Sequence, residues 1–182
     1  QGASDAGLIP MVFPDYKSVE ADEVRRLYEK EWGSKLPVER GLTVVEIMNA
    51  IHDDKIKGMY IMGENPAMSD PDVQHARNGL AKLEHLVVQD IFLTETCYHA
   101  DVILPATVFA EKAGTFTNTN RQIQMARPAL EVLPGVRQDW WIIQEIALRM
   151  GLKWQYNGPR DVFNEMKRTM RSLDNITWER LD

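Results

Sequence analysis

A polar turn follows a short apolar, β-forming run in the middle of the chain. The run GMYIM ends at Gly63, Glu64 and Asn65, and Ser69 lies a few residues further on, at the start of a helical pattern. Glycine lets a phosphate approach the backbone, an asparagine side chain offers both a donor and an acceptor, and a helix start presents free N–H groups to an anion. The turn is therefore a candidate nucleotide site. The alternative is a plain helix entry in which Asn65 or Ser69 only caps the helix.

Further polar groups follow the next apolar runs. Gln89 and Asp90 come directly after the run LVV, Lys112 follows the run ADVILPATVFAE, and Asp139 precedes two tryptophans. An acid at the end of a neighbouring strand commonly accepts hydrogen bonds from a ribose or a base. A surface turn at Asp90, a solvent-exposed Lys112 and a simple helix cap at Asp139 are the alternatives. If Lys112 does contact a ligand, a phosphate and a purine are equally compatible with the sequence.

The remaining reactive side chains form no catalytic or metal-binding pattern. Four histidines have spacings that match no familiar metal site, and we interpret them as structural or exposed: His52, His75, His85 and His99. Cys97 lies two residues before His99, but no third group that would orient the pair is evident, which favours a small buried thiol. The sequence thus offers no catalytic residue and no metal ligand.

Composition narrows the class of protein. The chain has 182 residues, a net charge of -6 and a pI of about 5.3, so its surface does not attract nucleic acid or an anionic membrane at long range. No apolar run reaches the roughly 18–20 residues of a membrane helix. The single cysteine excludes an internal disulfide and favours a reducing compartment, so we predict a cytoplasmic location.

Elements that must position these groups can be predicted from periodicity. Helices are predicted for SVEADEVRRLYEKEW, TVVEIMNAIHDDKI, SDPDVQHARNGLAKL, DWWIIQEIALRMG and GPRDVFNEMKRTM, and strands for GMYIMG, EHLVVQDIF and ADVILPA. Strands that alternate with helices favour a parallel sheet. The prediction is one α/β domain over residues 1–182, a three-layer, mostly parallel Rossmann-like sheet with helices on both faces, preceded by an irregular segment over residues 1–18. Three evident strands are fewer than a complete sheet of this kind, so others are hidden in the first third or supplied by sequence outside this chain.

Local signals place the ends of these elements. Thr43 followed by Glu46 is a capping box, and Ser69 or Asp70 is predicted to cap the next helix, with Pro71 in its first turn. Gly151 is typical of a helix C′ position. The stretch GTFTNTNRQIQMA predicts a hairpin or irregular loops.

Several segments together resemble the large, catalytic subunit of molybdenum- or tungsten-dependent formate dehydrogenases, in the molybdopterin oxidoreductase superfamily. They are QGASDAGLIPMVFPDY, YIMGENPAMSDPD, LVVQDIFLTETCYHADVILPATVFAEKAGTFTNTNRQIQ and RQDWWIIQEIALRMG, in order over residues 1 to about 170. The stretches QGASDAGL and GENP favour the formate dehydrogenase branch over nitrate reductase.

The resemblance implies a cofactor and its contacts. Members of this group carry two molybdopterin guanine dinucleotides around one molybdenum or tungsten, and this part of the chain holds one of them. The positions that match cofactor contacts are Gly63, Glu64, Asn65, Ser69, Gln89, Asp90, Lys112 and Asp139. A carboxylate such as Asp90 or Asp139 can accept two hydrogen bonds from the N1 and N2 edge of guanine.

The family's other functional features have no counterpart here. The metal-ligating cysteine or selenocysteine, the catalytic arginine, the four cysteines of an iron–sulfur cluster and the C-terminal domain are all without a match. We therefore expect an internal piece of a longer subunit, inactive by itself and prone to self-association. Its expected partners are the remaining domains of that subunit and electron-transfer subunits that carry iron–sulfur clusters or bind NAD. A nitrate reductase-like enzyme, the large subunit of complex I and a free-standing nucleotide-binding or interaction module are the alternatives.

Overall fold

The computed structural model describes residues 1–182 and separates into two compact units. The first unit comprises Gln1–Gly41, Ala113–Pro128 and Ala147–Asp182, and the second comprises Leu42–Lys112 and Ala129–Ile146. All the candidate site residues belong to the second unit.

Eight α-helices and seven β-strands make up the chain. The helices are α1 (Gly2–Asp5), α2 (Asp22–Trp32), α3 (Val44–His52), α4 (Pro66–Ser69), α5 (Val73–Lys82), α6 (Asp139–Arg149), α7 (Pro159–Thr169) and α8 (Trp178–Leu181). The strands are β1 (Val12–Phe13), β2 (Lys17–Ser18), β3 (Gly58–Met62), β4 (His85–Asp90), β5 (Val102–Pro105), β6 (Gly114–Thr117) and β7 (Ile123–Ala126). Short 3-10 helices cover Pro14–Tyr16, Glu95–His99, Phe109–Glu111 and Arg171–Leu173.

The second unit is built on a parallel sheet in the order β3-β4-β5. Met62 lies opposite Gln89 and Asp90 lies opposite Pro105, so the three strands end in register. The helices α4 and α5 connect β3 to β4, and the 3-10 helix Glu95–His99 lies in the connection from β4 to β5, since parallel strands require a crossover connection. The predicted α/β fold class and its three strands are confirmed.

One face of this sheet carries the core of the second unit. Ile61, Leu86 and Val88 are buried on this face and pack against Leu80 of α5 and the thiol of Cys97. Cys97 is 2% exposed, as predicted for a small buried thiol. A second cluster joins α3 to α5 and includes Met48, Ile51 and Ala76. These two helices therefore fix the sheet from one side.

The start of α5 differs from the prediction. Asp72 caps this helix, and its carboxylate accepts a hydrogen bond from the amide of His75 at 3.1 Å. Ser69 instead ends the separate four-residue helix α4, and Asp70 and Pro71 lie between the two helices. The cause is Pro71: the residue before a proline disfavours the helical conformation, and Asp70 is extended, so the helix cannot start at Ser69 and begins only after the proline.

The other local predictions for the second unit agree with the structure. Thr43 caps α3, and the amide of Thr43 donates to the Glu46 carboxylate at 2.8 Å, which completes the capping box. His52 and His75 stack with ring centroids 4.0 Å apart, a structural contact between α3 and α5.

The first unit has its own small core. Tyr28 of α2 is fully buried, stacks on Phe13 at 4.6 Å and donates to the carbonyl of Thr169 at 3.2 Å. The strands β6 and β7 form an antiparallel hairpin. Of the two structures predicted for the stretch GTFTNTNRQIQMA, the hairpin is therefore the one observed. Gly151 has a φ of 89° after α6, as expected for a C′ glycine. The first 18 residues hold α1, β1 and β2, elements too short to produce a periodic pattern.

Candidate functional site

The carboxyl ends of the sheet strands form one continuous edge. The amide of Gly63 donates to the carbonyl of Gln89 at 2.9 Å, and the amide of Ala106 donates to the carbonyl of Asp90 at 3.0 Å. The amide of Thr107 then donates to the carbonyl of Arg137 at 3.0 Å, which brings the residues before α6 to the same edge. This is the edge at which open α/β sheets bind their ligands.

Three of the predicted site residues contact one another there. The side-chain amide of Gln89 donates to Oδ1 of Asp139 at 2.8 Å, and the ammonium of Lys112 forms an ion pair with Oδ2 of the same carboxylate. Lys112 also donates to the carbonyl of Thr107 at 3.1 Å. Gln89 is 1% exposed, whereas the side chains of Lys112 and Asp139 are 23% and 30% exposed. The Gln89–Lys112–Asp139 cluster therefore presents a partly open carboxylate and ammonium above a buried amide.

Asp139 is the first residue of α6, so it does not occupy the N-cap position of this helix. The carbonyl of Gln138 accepts from the amides of Trp141 and Ile142 at 3.0 and 3.1 Å, so Gln138 occupies the position before the helix. The Asp139 carboxylate is thereby directed at side chains across the sheet edge, and its charge lies in the first turn of α6, where a negative group is favoured.

Tyr60 is a fourth member that the sequence did not reveal. Its hydroxyl donates to Oε1 of Gln89, so the amide nitrogen of Gln89 faces Asp139. Burial raises the pKa of Tyr60 above its usual value, and the nearby Asp139 charge adds to this. The available signal was the strand period: Met62 lies opposite Gln89, so Tyr60, two residues earlier, shares the face of Gln89.

The turn at Gly63 is open. Gly63 has a φ of 64°, a conformation that favours glycine, and no atom lies within 4 Å of where a Cβ would stand. Nearby on the same edge, the Thr107 hydroxyl is completely buried and has no hydrogen-bond partner.

Asn65 is held by its own chain. Its side-chain carbonyl accepts from the amide and hydroxyl of Thr96 at 3.2 and 2.8 Å, and its amide donates to Glu95 at 2.7 Å. The Asn65 hydrogen bond lowers the pKa of Glu95 below its usual value. The Thr96 hydroxyl also accepts from the amide of Ala67 at 3.1 Å. Asn65 therefore fixes the turn after β3 to the 3-10 helix after β4 and keeps one amide hydrogen for a ligand.

The other three candidate residues, Glu64, Ser69 and Asp90, contact groups outside this cluster. The Ser69 hydroxyl donates to the carbonyl of Asn65 at 3.0 Å. Glu64 and Ser69 line a cavity of about 430 Å³ between α3 and β3. Oδ1 of Asp90 accepts from the amides of Ile91 and Phe92 at 2.6 and 3.2 Å, which closes the turn after β4. The structure thus brings Gln89, Lys112 and Asp139 into one cluster and leaves Glu64, Ser69 and Asp90 outside it.

Comparison with known proteins decides the family. Residues 3–149 match the family described as molybdopterin oxidoreductase. The chain belongs to the molybdopterin oxidoreductase family. None of its helices combines the length and the apolar character needed to cross a membrane.

Curated relatives include formate dehydrogenases. The chain is 46% identical to the F420-dependent formate dehydrogenase subunit alpha of Methanocaldococcus jannaschii over 183 aligned residues, which cover 100% of this chain and 27% of that protein. It is 43% identical to the putative formate dehydrogenase YrhE of Bacillus subtilis, over 91% of this chain and 17% of that protein. The chain therefore spans roughly a quarter or less of these relatives' length.

A solved structure shares the fold. Acetylene hydratase from Pelobacter acetylenicus superposes with a TM-score of 0.61 at 21% identity, over 86% of this chain and 22% of that protein. At this identity the likeness concerns the fold alone.

The family implies a molybdopterin cofactor with molybdenum or tungsten, and the sheet edge suits the nucleotide end of such a group. A carboxylate has about four lone-pair sites. Gln89 and Lys112 occupy two of those on Asp139, which leaves two for the N–H groups of a base. The open Gly63 turn and the unpartnered Thr107 hydroxyl add room and a polar group at the same edge.

Proposed function

We propose that this chain binds the guanosine end of molybdopterin guanine dinucleotide within a formate dehydrogenase. The observation that supports this most directly is the convergence of Gln89, Lys112 and Asp139 at the carboxyl edge of the sheet, beside the open turn at Gly63. The two remaining lone-pair sites of Asp139 match the adjacent N1–H and N2–H donors of guanine. Adenine has no such pair of donors on that edge.

The other candidate residues have supporting parts in this proposal. The open Gly63 turn leaves room for a pyrophosphate to approach the backbone, and the side-chain N–H of Asn65 that Glu95 does not use can donate to it. Oδ2 of Asp90, which the turn after β4 does not use, can accept from a ribose hydroxyl. Glu64 and Ser69 extend the site on the α3 side of this turn.

The reaction proposed for the whole enzyme is the oxidation of formate to carbon dioxide, with release of two electrons and a proton. The bound metal centre supplies the redox chemistry. This chain contributes binding and orientation of one cofactor, and by itself we expect it to be inactive. In the whole enzyme the other domains of the subunit complete the site, and the electrons pass to iron–sulfur clusters and on to NAD or another acceptor in the cytoplasm.

The binding step can be tested on the chain itself. We expect calorimetric titration to show binding of GDP and at least tenfold weaker binding of ADP and CDP. Replacing Asp139 with alanine removes two base contacts and should weaken GDP binding by roughly tenfold or more, since a hydrogen bond to a charged group is worth about 1.5–3 kcal/mol.

The matched control is Asp53→Ala, because Asp53 is an exposed carboxylate of the same unit that also pairs with a lysine, Lys55. This variant should bind GDP like the wild type. Equal affinity for GDP, ADP and CDP, or an Asp139→Ala variant that binds GDP normally, would refute the proposed guanine site.

The role in the whole enzyme needs the full-length subunit. Asp139→Ala and Asp90→Ala in that protein should lower the content of bound pterin and metal per subunit, together with the rate of formate oxidation. Full metal content and an unchanged rate in both variants would contradict the proposed role of this edge.

A further inference from the structure

The dipeptide Asn-Gly occurs twice in the chain, in two different backbone settings. Asn78–Gly79 lies within α5 of the second unit, whereas Asn157–Gly158 lies in the loop that precedes α7 of the first unit. Both asparagines are exposed to solvent. The two copies therefore differ in the conformation and hydrogen bonding of their backbone and not in the access of water to the asparagine.

An Asn-Gly dipeptide can react with itself. The backbone nitrogen of the glycine attacks Cγ of the asparagine, a Cγ–N bond forms, and the Cγ–Nδ2 bond breaks as ammonia leaves with the proton of the attacking amide. Water then opens the cyclic imide. Opening at Cγ gives aspartate, and opening at the main-chain carbonyl gives isoaspartate, in which the chain continues through Cγ. Glycine favours the reaction because it has no Cβ to obstruct the attack.

The helix α5 opposes this reaction at Asn78. Gly79 lies inside α5, so its amide donates along the helix to the carbonyl of His75, four residues earlier. Attack on Asn78 would break this hydrogen bond and turn the backbone of Asn78 out of the helical conformation. The space beside Gly79 is also filled, since a Cβ there would stand 3.3 Å from Nε2 of His52.

The loop before α7 imposes no such restraint on Asn157. The helix begins only at Pro159, and the amide of Gly158 donates to no group of the chain. Only the carbonyl of Gly158 is engaged, as the acceptor for the amide of Asp161 at 3.1 Å. No atom beyond the adjacent residues lies within 4 Å of where a Cβ of Gly158 would stand. The attacking nitrogen therefore has neither a hydrogen bond to lose nor a neighbour to displace.

We propose that Asn157 is a site of spontaneous deamidation in the folded protein, and that α5 protects the identical dipeptide at Asn78. Water is the only co-reactant. Each reaction converts a neutral amide into a carboxylate, so it adds one negative charge immediately before the N-cap residue of α7, Gly158.

The product disturbs the start of α7. Nδ2 of Asn157 donates to Oδ2 of Asp161 at 3.2 Å, and the backbone amide of Asn157 donates to the same oxygen at 2.8 Å. Deamidation replaces the first donor with a second carboxylate, and like charges this close repel. Isoaspartate also lengthens the backbone by one carbon atom. Because α7 carries Phe163 of the first unit's core, we expect hydrogen exchange of the α7 amides to be faster in the deamidated protein.

Ageing the purified chain in mildly alkaline buffer tests the proposal. Mass spectrometry of its peptides measures the conversion of each asparagine, and the same chain unfolded in guanidinium chloride supplies the intrinsic rate of each dipeptide. In the native chain we expect Asn157 to react within about threefold of its unfolded rate, because its loop needs no opening. Asn78 should react at least roughly a hundredfold more slowly than when unfolded, because α5 has to open first.

Gly158→Ala is the decisive variant, because the structure tolerates it. Gly158 has a φ of 164° and a ψ of 179°, an extended conformation that the residue before a proline favours. The added methyl group obstructs the attacking nitrogen, so we expect deamidation of Asn157 to slow by roughly tenfold or more. Asn78 is the matched control within the same molecule, and its rate should not change in this variant.

Three results would overturn the proposal. The first is an Asn157 that keeps its amide in the native chain while the unfolded chain reacts. The second is an equal rate at Asn157 and Asn78 in the native chain, since the fold would then not select the site. The third is an unchanged rate in Gly158→Ala, since the nitrogen of Gly158 would then not be the attacking group. None of these results depends on nucleotide binding, so the proposed function is tested separately.

Discussion

Replacing Asn65 with alanine separates the two roles that this residue can have, contact with a ligand and support of the turn after β3. The structure gives its side chain three hydrogen bonds within the chain, two of them with Thr96. Thr96 is completely buried. Alanine leaves the amide and the hydroxyl proton of Thr96 without an acceptor in a place that water does not reach.

The expected cost follows from these contacts. Leaving the buried amide of Thr96 unpaired costs about 1–3 kcal/mol, and the lost hydroxyl bond adds roughly 1 kcal/mol, so we expect the second unit to lose about 2–4 kcal/mol of stability. The bond to Glu95 is solvent-exposed and is left out of this sum.

Native-state hydrogen exchange is the suitable assay, because it reports the opening free energy of each unit separately. For the slowest-exchanging amides of β3 and β4, the opening free energy should fall by the whole expected loss of about 2–4 kcal/mol. The opening free energy of the amides in the first unit should not change. The control is Asn78→Ala, which removes an exposed side chain that pairs only with Gln74 on the surface of α5. We expect this control to change stability by less than about 0.5 kcal/mol.

The pH dependence gives a second measure of the same change. The Asn65 amide lowers the folded-state pKa of Glu95 below its usual value of 4.5. A carboxyl group whose pKa is lower in the folded state than in the unfolded state stabilises the fold at pH values above its unfolded-state pKa. This stabilisation is lost as the pH falls through the folded-state pKa. The difference in the free energy of unfolding between wild type and Asn65→Ala should therefore become smaller below about pH 4.5. The share of this difference that comes from the unpaired groups of Thr96 should remain. A loss of less than 1 kcal/mol at neutral pH would refute the argument that Thr96 depends on Asn65.

Two further predictions concern tyrosines. Tyr60→Phe leaves Oε1 of the buried Gln89 without its donor and should destabilise the second unit by about 1–3 kcal/mol. The same hydrogen-exchange experiment measures this loss. Unchanged protection of the amides in β3 and β4 would count against the Tyr60–Gln89 hydrogen bond. Burial, followed by the hydrogen bond with Glu165, raises the pKa of Tyr156 to about 12, above its usual value of 10.0. Because the folded-state pKa is the higher one, the neutral phenol stabilises the first unit fully below pH 10 and this contribution disappears as pH rises through about 12. Burial also raises the pKa of Tyr28 to about 12, so absorbance titration near 295 nm should show an ionisation step near pH 12 that Tyr156→Phe reduces but does not remove. Loss of a step near pH 10 instead would contradict the assignment.

The sequence by itself determined the longer elements of the second unit and the edge at which the candidate residues lie. Short apolar runs predicted β3, β4 and β5, and the pair Thr43 and Glu46 predicted the start of α3, because these signals act between residues close along the chain. The parallel order then required Gly63 and Gln89 to share an edge. The resemblance of the sequence to the formate dehydrogenases supplied the family, which the comparisons confirmed.

The tertiary structure decided which groups bond to which. Gln89 and Asp139 are 50 positions apart, and Asn65 and Thr96 are 31 apart, so no local period relates them. Tyr60 was missed because strand alternation gives the face of a side chain but not its partner on the next strand. A polar side chain in a sequence has many candidate partners, and only the packed sheet, which excludes water from Gln89 and Thr96, selects one and makes it energetically necessary.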